Sequence, residues 1–171
     1  IQILWINLIT DGLPSVALSF DPPRPNIMQR KPRKKEEGII NKKLACLIGS
    51  IGIKKSLVIL GTFLAALPLG IEKARTTLFT GFIMYEFVRI GVIRYNEKLA
   101  SLNDWLANRF LVFALLVSLA LQLLILYSPL AEYFSIVSFG FTGWAILLFG
   151  TVSGFCLGIA ISKIIDKFVK E

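Results

Sequence analysis

The sequence contains no histidine and only two cysteines, and both shortages limit the metal chemistry that it can support. Among its 171 residues, 11 are Asp or Glu and 19 are Lys or Arg. Without histidine no imidazole can act as a metal ligand. Cys46 and Cys156 lie far apart in apolar surroundings without metal-ligand spacing, so we expect two small buried residues. These patterns indicate neither catalytic nor cofactor-binding residues.

Charged residues are also scarce, at 18 %, whereas 55 % of the chain is hydrophobic and its mean hydropathy is +0.70. The charges are bunched and leave long apolar runs, which a soluble domain of this size could not cover. A bilayer accepts such runs, because apolar helices of about 20 residues match its core. The net charge of +8 lies in the connectors without a nucleic-acid motif, so we expect membrane lipid as a partner and no nucleic acid.

Apolar runs predict an all-α membrane protein with a bundle of about five transmembrane helices. The runs cover residues 1–20, 56–71, 76–92, 110–127 and 139–161. A softer stretch, 44–53, precedes the second run and lies along the membrane surface or belongs to a longer tilted span. Lys54 and Lys55 are expected to mark the water interface. We therefore divide the chain into an ion-binding helix (1–20), a basic cytosolic loop with a possible interfacial helix (21–55), and a four-helix region with a cytosolic tail (56–171).

The connectors differ in their content of Lys and Arg, and this difference predicts the orientation. Sixteen such residues lie in residues 21–55, residues 94–109 and the tail, against two in the alternate connectors. The positive-inside rule therefore makes the C-terminus cytosolic and runs the first helix towards the cytosol. The proline-rich stretch 21–41 is expected to be an extended cytosolic loop, facing lipid headgroups or docking another domain. The start at Ile1, without Met or a basic leader, suggests excision from a longer chain.

Three polar residues in the first apolar run form the clearest candidate site. On a helix, Asn7, Thr10 and Asp11 share one face, because they are spaced i, i+3 and i+4. An ionised carboxylate in mid-membrane is costly unless something compensates it. Pro14 has no N–H for the carbonyl of Thr10, and Gly12 tolerates local unwinding. The run thus predicts a cation site of hard oxygen donors suited to calcium or a similar ion. The alternative is a polar interhelical contact with a proline kink.

Glu86 is a second carboxylate within an apolar run. Calcium requires six to eight oxygens, so Glu86 could complete the site from another helix. Arg89 lies three residues later on the same face. The pair could instead neutralise both charges, or Arg89 could occupy part of the site and leave room for fewer ions.

Other polar and small residues within the runs indicate packing. Gln122 is expected to make an interhelical hydrogen bond. Gly150, Gly154 and Gly158 recur every four residues and predict a close packing face. Several aromatic residues near the ends of the runs are expected to be interface anchors: Trp5, Tyr95, Trp105, Tyr127 and Trp144.

The segment 2–14, with its Asn-Leu-x-Thr-Asp-Gly-Leu-Pro pattern, closely resembles the sixth transmembrane helix of type II P-type cation ATPases, and the pattern is typical of the calcium-pump branch. The likeness continues through 20–23 and 27–33, which resemble the following cytosolic loop, and through 74–77, Glu86 and 124–130. It covers most of the chain, and its most specific motifs lie in the first thirty-three residues. The resemblance implies the sixth to tenth helices of such a pump.

The same resemblance implies roles for individual residues. Asn7, Thr10 and Asp11 match calcium ligands of the sixth helix, with Asp11 shared between two sites, and Glu86 matches an eighth-helix ligand. Arg89 departs from the pattern, so a transport stoichiometry of two ions is doubtful. The loop before Ala74 is much shorter than in the animal sarcoplasmic-reticulum pumps.

The resemblance also implies partners that these residues do not contain. The Asp-Lys-Thr-Gly-Thr phosphorylation motif and the nucleotide-binding domain precede this region in the family, so ATP and Mg²⁺ would act only through domains outside these residues. The parent would be a multi-pass P-type Ca²⁺-transporting ATPase, in the plasma membrane of a prokaryote or an endomembrane of a eukaryote. The alternatives are a manganese or monovalent-cation pump, and a membrane scaffold that transports nothing.

Overall fold

A computed structural model of the chain describes residues 1–22, 28, 42–96 and 101–168, apart from the side chains of 10, 11, 42–44, 96, 166 and 168. The described residues form helices without a strand. The helices are α1 (Gln2–Ile6), α2 (Leu13–Leu18), α3 (Lys42–Ala66), α4 (Ile71–Asn96), α5 (Leu102–Ala107), α6 (Arg109–Tyr127) and α7 (Phe141–Phe168). A π-helical stretch, Asn7–Gly12, joins α1 to α2, and we refer to α1, this stretch and α2 together as the first segment.

Four helices within the described ranges are long and apolar enough to cross a membrane. They span Ala45–Leu69, Ile71–Tyr95, Arg109–Tyr127 and Phe141–Ile165. They correspond to the second to fifth predicted runs and confirm the all-α membrane bundle. The first predicted run, 1–20, is helical from Gln2 to Leu18. The π-helical stretch divides it, so it is not one regular spanning helix.

Helix α3 joins the two stretches that the sequence left separate. It continues without a break from Lys42 to Ala66, which corresponds to the longer tilted span rather than to a separate surface helix. Lys54 and Lys55 lie near the middle of this continuous helix rather than before a separate span, and their level relative to the water interface stays a prediction. Without these two residues the charge asymmetry keeps the same sign. The proline-rich loop lies, except for residues 21, 22 and 28, outside the described residues.

Helix α4 occupies the centre of the bundle. One side of α4 packs against α3 and α7. The other side contacts the first segment and the buried side chains of α6. Phe79 and Ile83 of α4 form a buried cluster with Ile125 and Leu126 of α6 and with Leu147 of α7. The turn from α3 into α4 needs only a 3-10 turn, Leu67–Leu69, and Gly70, whose φ of 107° lies in the left-handed region that glycine tolerates.

The glycines of α7 form the predicted packing face. A methyl group at Gly154 would lie 2.6 Å from the ring of Tyr85, and one at Gly158 would lie 2.7 Å from Nζ of Lys54 and 2.8 Å from Val92. Such distances are shorter than carbon atoms allow, so α3 and α4 approach α7 closely only because these positions lack side chains. The Gly150 position meets Thr62 of α3 in the same way.

Two predictions about single side chains are corrected. Cys46 and Cys156 are exposed rather than buried, on helix faces that the described protein leaves open. Trp5 was expected to be an interface anchor, but its indole packs against the buried cluster and forms an edge-to-face contact with Phe134 at 5.4 Å between ring centroids. In a membrane bundle apolar side chains face lipid as readily as protein, so apolar surroundings in the sequence do not predict burial.

Candidate cation site

The first segment carries the predicted ligands on a widened helix. Asn7 opens the π-helical stretch, and Thr10, Asp11 and Gly12 complete it. In a π-helix each carbonyl accepts from the N–H five residues later, and single π-turns occur frequently at functional sites. Asn7 is exposed. The side chains of Thr10 and Asp11 lie outside the described part of the chain, so their role as ligands stays a prediction.

The π-helical register changes which carbonyl the proline affects. Pro14 follows Ile9 by five residues, so in this register the Ile9 carbonyl has no N–H to accept from. The hydroxyl of Ser118 on α6 donates to that carbonyl at 3.1 Å, and Ser118 is fully buried. The predicted free carbonyl of Thr10 is not tested by these contacts. The sequence therefore indicated a backbone irregularity correctly but did not reveal Ser118, which compensates it.

Neutral hydrogen bonds hold the first segment to the bundle within the membrane. The indole N–H of Trp5 donates to Oε1 of Gln122 at 3.1 Å, and Nε2 of Gln122 donates to the hydroxyl of Thr80 at 3.1 Å. Gln122 and Thr80 are each 1 % exposed. The prediction that Gln122 makes interhelical hydrogen bonds is confirmed. The three residues join the first segment, α6 and α4 at one level.

A charged clamp holds the other end of the first segment. Asp21 follows α2 and accepts from Nη1 of Arg94 at 2.9 and 3.0 Å. The side-chain amide of Asn108 donates to the carbonyl of Ala17 at 2.9 Å and also to Asp21. Arg94 is 2 % exposed and also donates to the carbonyl of Asp104 at 2.8 Å. Nothing in the spacing of these residues predicted this clamp, because Asp21 follows α2, whereas Arg94 lies in the last turn of α4 and Asn108 caps α6.

Glu86 is bonded to two cations. Nζ of Lys55 lies 2.6 Å from its Oε1, and Nε of Arg89 lies 2.7 Å from its Oε2. The carboxylate is buried, and within the described part of the chain its Oε2 has the ion pair with Arg89 but no hydrogen-bond donor. The ion-pair alternative for Glu86 and Arg89 is thus confirmed as a contact. Lys55 was missed, because it was assigned to the water interface.

The arrangement limits where a metal ion could lie. Among the described side chains no group of three or more Asp, Glu, Cys or His residues could hold a metal. The carboxylate of Glu86 already has the two cations of Lys55 and Arg89 within contact distance. To bind an added cation there, one of these would have to move. The first segment, by contrast, presents Asn7 on an open face, beside Leu4 (74 % exposed) and Leu8 (63 % exposed).

These features define a multi-pass α-helical membrane protein whose first segment is interrupted by a π-helical stretch containing Asn7, Thr10 and Asp11. Residues 1–165 match the family model described as "Cation transporting ATPase, C-terminus", and the chain belongs to this family. It is 35 % identical over 135 residues to a calcium-transporting ATPase of Bacillus subtilis, covering 75 % of the chain and 15 % of that protein.

Two eukaryotic relatives give the same picture. The chain is 30 % identical over 168 residues to a probable calcium-transporting ATPase of Trypanosoma brucei brucei, covering 82 % of the chain and 16 % of that protein. It is 28 % identical over 183 residues to the endoplasmic reticulum calcium ATPase srcA of Aspergillus fumigatus, covering 86 % of the chain and 19 % of that protein. The chain therefore spans less than a fifth of the length of these relatives.

Proposed function

We propose that this chain is the C-terminal membrane segment of an ATP-driven calcium transporter and that its first segment supplies ligands for the transported ion. Asn7, Thr10 and Asp11 would provide an amide oxygen, a hydroxyl and a carboxylate, which are the hard donors that calcium prefers. The π-helical turn supports this role, since it interrupts the regular helix at these residues. The names of the relatives support calcium as the ion.

The remaining ligands would come from the N-terminal part of the pump. The open face of the first segment is apolar around Asn7, with Ile3 75 %, Leu4 74 % and Leu8 63 % exposed. A polar residue within such a face is favourable when further helices cover it and share its polar groups. The domains that bind ATP and Mg²⁺ would belong to that same part. The plasma membrane of a prokaryote or an endomembrane of a eukaryote remains the proposed location.

Glu86 takes a different role in this proposal from the one expected. Its charge is balanced by Lys55 and Arg89, so it would hold α3 and α4 together rather than act as a calcium ligand. A fixed cation at this position would take the place of a second transported ion. We therefore propose one calcium ion per transport cycle, with Asp11 as its main carboxylate in this chain.

Transport by the complete protein tests the proposal. Vesicles containing it should take up radioactive calcium when ATP is added, and Asp11→Asn should weaken the apparent calcium affinity about 100-fold, because a carboxylate ligand is lost. Glu132→Gln, which neutralises an exposed carboxylate in a connector, is the matched control and should transport normally. If Asp11→Asn takes up calcium with the same apparent affinity as the wild type, the assignment of Asp11 as a ligand is wrong.

A competition assay separates calcium from the alternatives. If the protein is a manganese or monovalent-cation pump, that ion will suppress calcium uptake even when its concentration is lower than the calcium concentration in the assay. If the chain belongs to a scaffold, ATP will drive no uptake of any of these ions.

A further inference from the structure

Helices α3, α4 and α7 enclose a cavity on the side of α4 opposite the first segment. Its polar lining consists of Lys54, Lys55, Tyr85, Arg89 and Ser162, and the rest of its wall is apolar. Three of these five side chains carry a positive charge. The carboxylate of Glu86 neutralises one charge at most, so the cavity region is net positive.

Lys54 contributes charge that no carboxylate balances among the residues that the structure describes. It is 7 % exposed. Its Nζ donates to the carbonyl of Gly154 at 3.3 Å and lies 5.5 Å from the centre of the Tyr85 ring. A long bond to one carbonyl uses only one of the three N–H groups of an ammonium. A buried lysine in such a place is stabilised by an anion.

Tyr85 provides an independent sign of a missing partner. Its side chain lines the cavity and is 3 % exposed, and its hydroxyl has no hydrogen-bond partner in the described structure. Buried tyrosine hydroxyls ordinarily have one. An acceptor in the cavity would satisfy the hydroxyl and would also lie near the ammonium of Lys54.

An apolar groove continues from this cavity along the outside of α3 and α7. Ile53, Leu57, Leu157 and Ile164 line it, and Lys54 and Ile161 are shared with the cavity. Ile53 is 66 % and Leu57 is 63 % exposed. A positive cavity joined to an apolar groove matches a molecule with an anionic head and an apolar chain.

The depth of the cavity agrees with such a molecule. The spans of α4 and α7 each have 25 residues, so each is about 37 Å long and exceeds the roughly 30 Å hydrocarbon core. Arg89 and Ser162 lie in the last two turns of these spans, at the end that the positive-inside rule assigns to the cytosol. Lysine and arginine can also extend towards the headgroup level from deeper positions.

We propose that this cavity binds the headgroup of an anionic phospholipid, with one acyl chain along the groove between α3 and α7. The phosphate would accept from Lys54, Tyr85 and Arg89. Basic pockets between transmembrane helices on the cytosolic side are suited to such headgroups. The groove distinguishes a lipid from a free anion, because a free anion would leave the apolar surface unused. The proposal requires the membrane bundle but not calcium transport.

Native mass spectrometry tests the proposal: it measures which added lipids the complete protein retains in detergent. Phosphatidylglycerol should be retained more tightly than phosphatidylcholine with the same acyl chains. Lys54→Met should weaken phosphatidylglycerol binding about fivefold, the effect of one cation at an anionic headgroup. Lys163→Met removes an exposed lysine of α7 that lines neither the cavity nor the groove, and it should change binding less than twofold.

Two further measurements keep the proposal open to failure if Lys54→Met folds poorly. Ile161→Trp keeps every charge but fills the groove, so it should also weaken phosphatidylglycerol binding; unchanged binding would overturn the acyl-chain placement. Soluble glycerol phosphate should not displace the lipid, and displacement at equal concentration would show an anion site without a lipid chain. Equal retention of the two phospholipids, or equal effects of Lys54→Met and Lys163→Met, would overturn the proposal as a whole, whatever the outcome of the calcium uptake assay.

Discussion

The two sides of helix α4 hold their polar groups in opposite ways. Towards the first segment and α6, the contacts within the membrane are neutral hydrogen bonds through Thr80 and Gln122. Towards α3 and α7, Lys55, Glu86 and Arg89 form ion pairs. A carboxylate that must bind and release an ion cannot lie beside a fixed cation, whereas one that joins helices benefits from it. We therefore propose a role in ion transport for the first side and a structural role for the second.

The largest loss of stability is expected at the clamp that closes the first side. Arg94→Met should lower the free energy of unfolding by about 3 kcal/mol, because it leaves Asp21 without its buried partner. The thermal unfolding midpoint of the complete protein in detergent measures this loss. Arg75→Met, at an exposed position near the other end of α4, should change the midpoint little. Equal midpoints for the two variants would mean that the clamp contributes nothing.

The ion pairs of the second side should matter for stability and not for calcium affinity. Glu86→Gln should lower the free energy of unfolding by about 2 kcal/mol, since Lys55 and Arg89 are partly exposed and can regain some solvation. Glu72→Gln, at an exposed position in the first turn of the same helix, is the control. A calcium titration of uptake by Glu86→Gln decides the comparison. A large loss of affinity with normal unfolding would make Glu86 a ligand after all.

The close packing on the second side gives a smaller effect. Gly154→Ala should destabilise the protein by about 1–2 kcal/mol, because the new methyl group would meet the ring of Tyr85. Gly61→Ala on α3 has open space around it and should be neutral or stabilising through helix propensity. The difference between the two unfolding midpoints measures the contribution of the α7 packing face. If Gly61→Ala is destabilised as much as Gly154→Ala, the loss at Gly154 does not come from contact with Tyr85.

The smallest effect is expected for the single bond that satisfies the irregular backbone on the first side. Ser118→Ala should cost about 1 kcal/mol, because the Ile9 carbonyl loses its donor. Ser153→Ala removes a hydroxyl whose one bond among the described residues is to Gly150 of its own helix, and it should cost less. Unfolding midpoints that do not distinguish the two serines would argue that the Ile9 carbonyl has another donor.

Sequence reasoning found the helices more readily than the partners of their polar residues. The apolar runs predicted α6 within one residue at each end, and α4 and α7 within five and seven residues, because span length depends on local hydropathy. The partner of Lys55 could not be predicted, because only the fold brings Glu86 of α4 to face it. The clamp of Asp21, Arg94 and Asn108 was equally invisible, since it requires three chain segments to meet.

The candidate site was predicted in part. The spacing of Asn7, Thr10 and Asp11 and the presence of Pro14 indicated an irregular helix with oxygen donors. The π-helical stretch agrees with the irregularity, but its register places the affected carbonyl at Ile9. Hydrogen-bond register depends on how α6 packs against the segment, and local sequence does not encode that packing.

The number of calcium ions bound by the complete protein is the most direct test of the account. Equilibrium binding of radioactive calcium to the purified protein should give one ion per molecule. Asp11→Asn should bind almost none at the calcium concentration that saturates the wild type, because its affinity is about 100-fold weaker. Two ions per molecule in the wild type, with one lost in Glu86→Gln, would contradict the account, because Glu86 would then have to leave Lys55 and Arg89 to bind calcium.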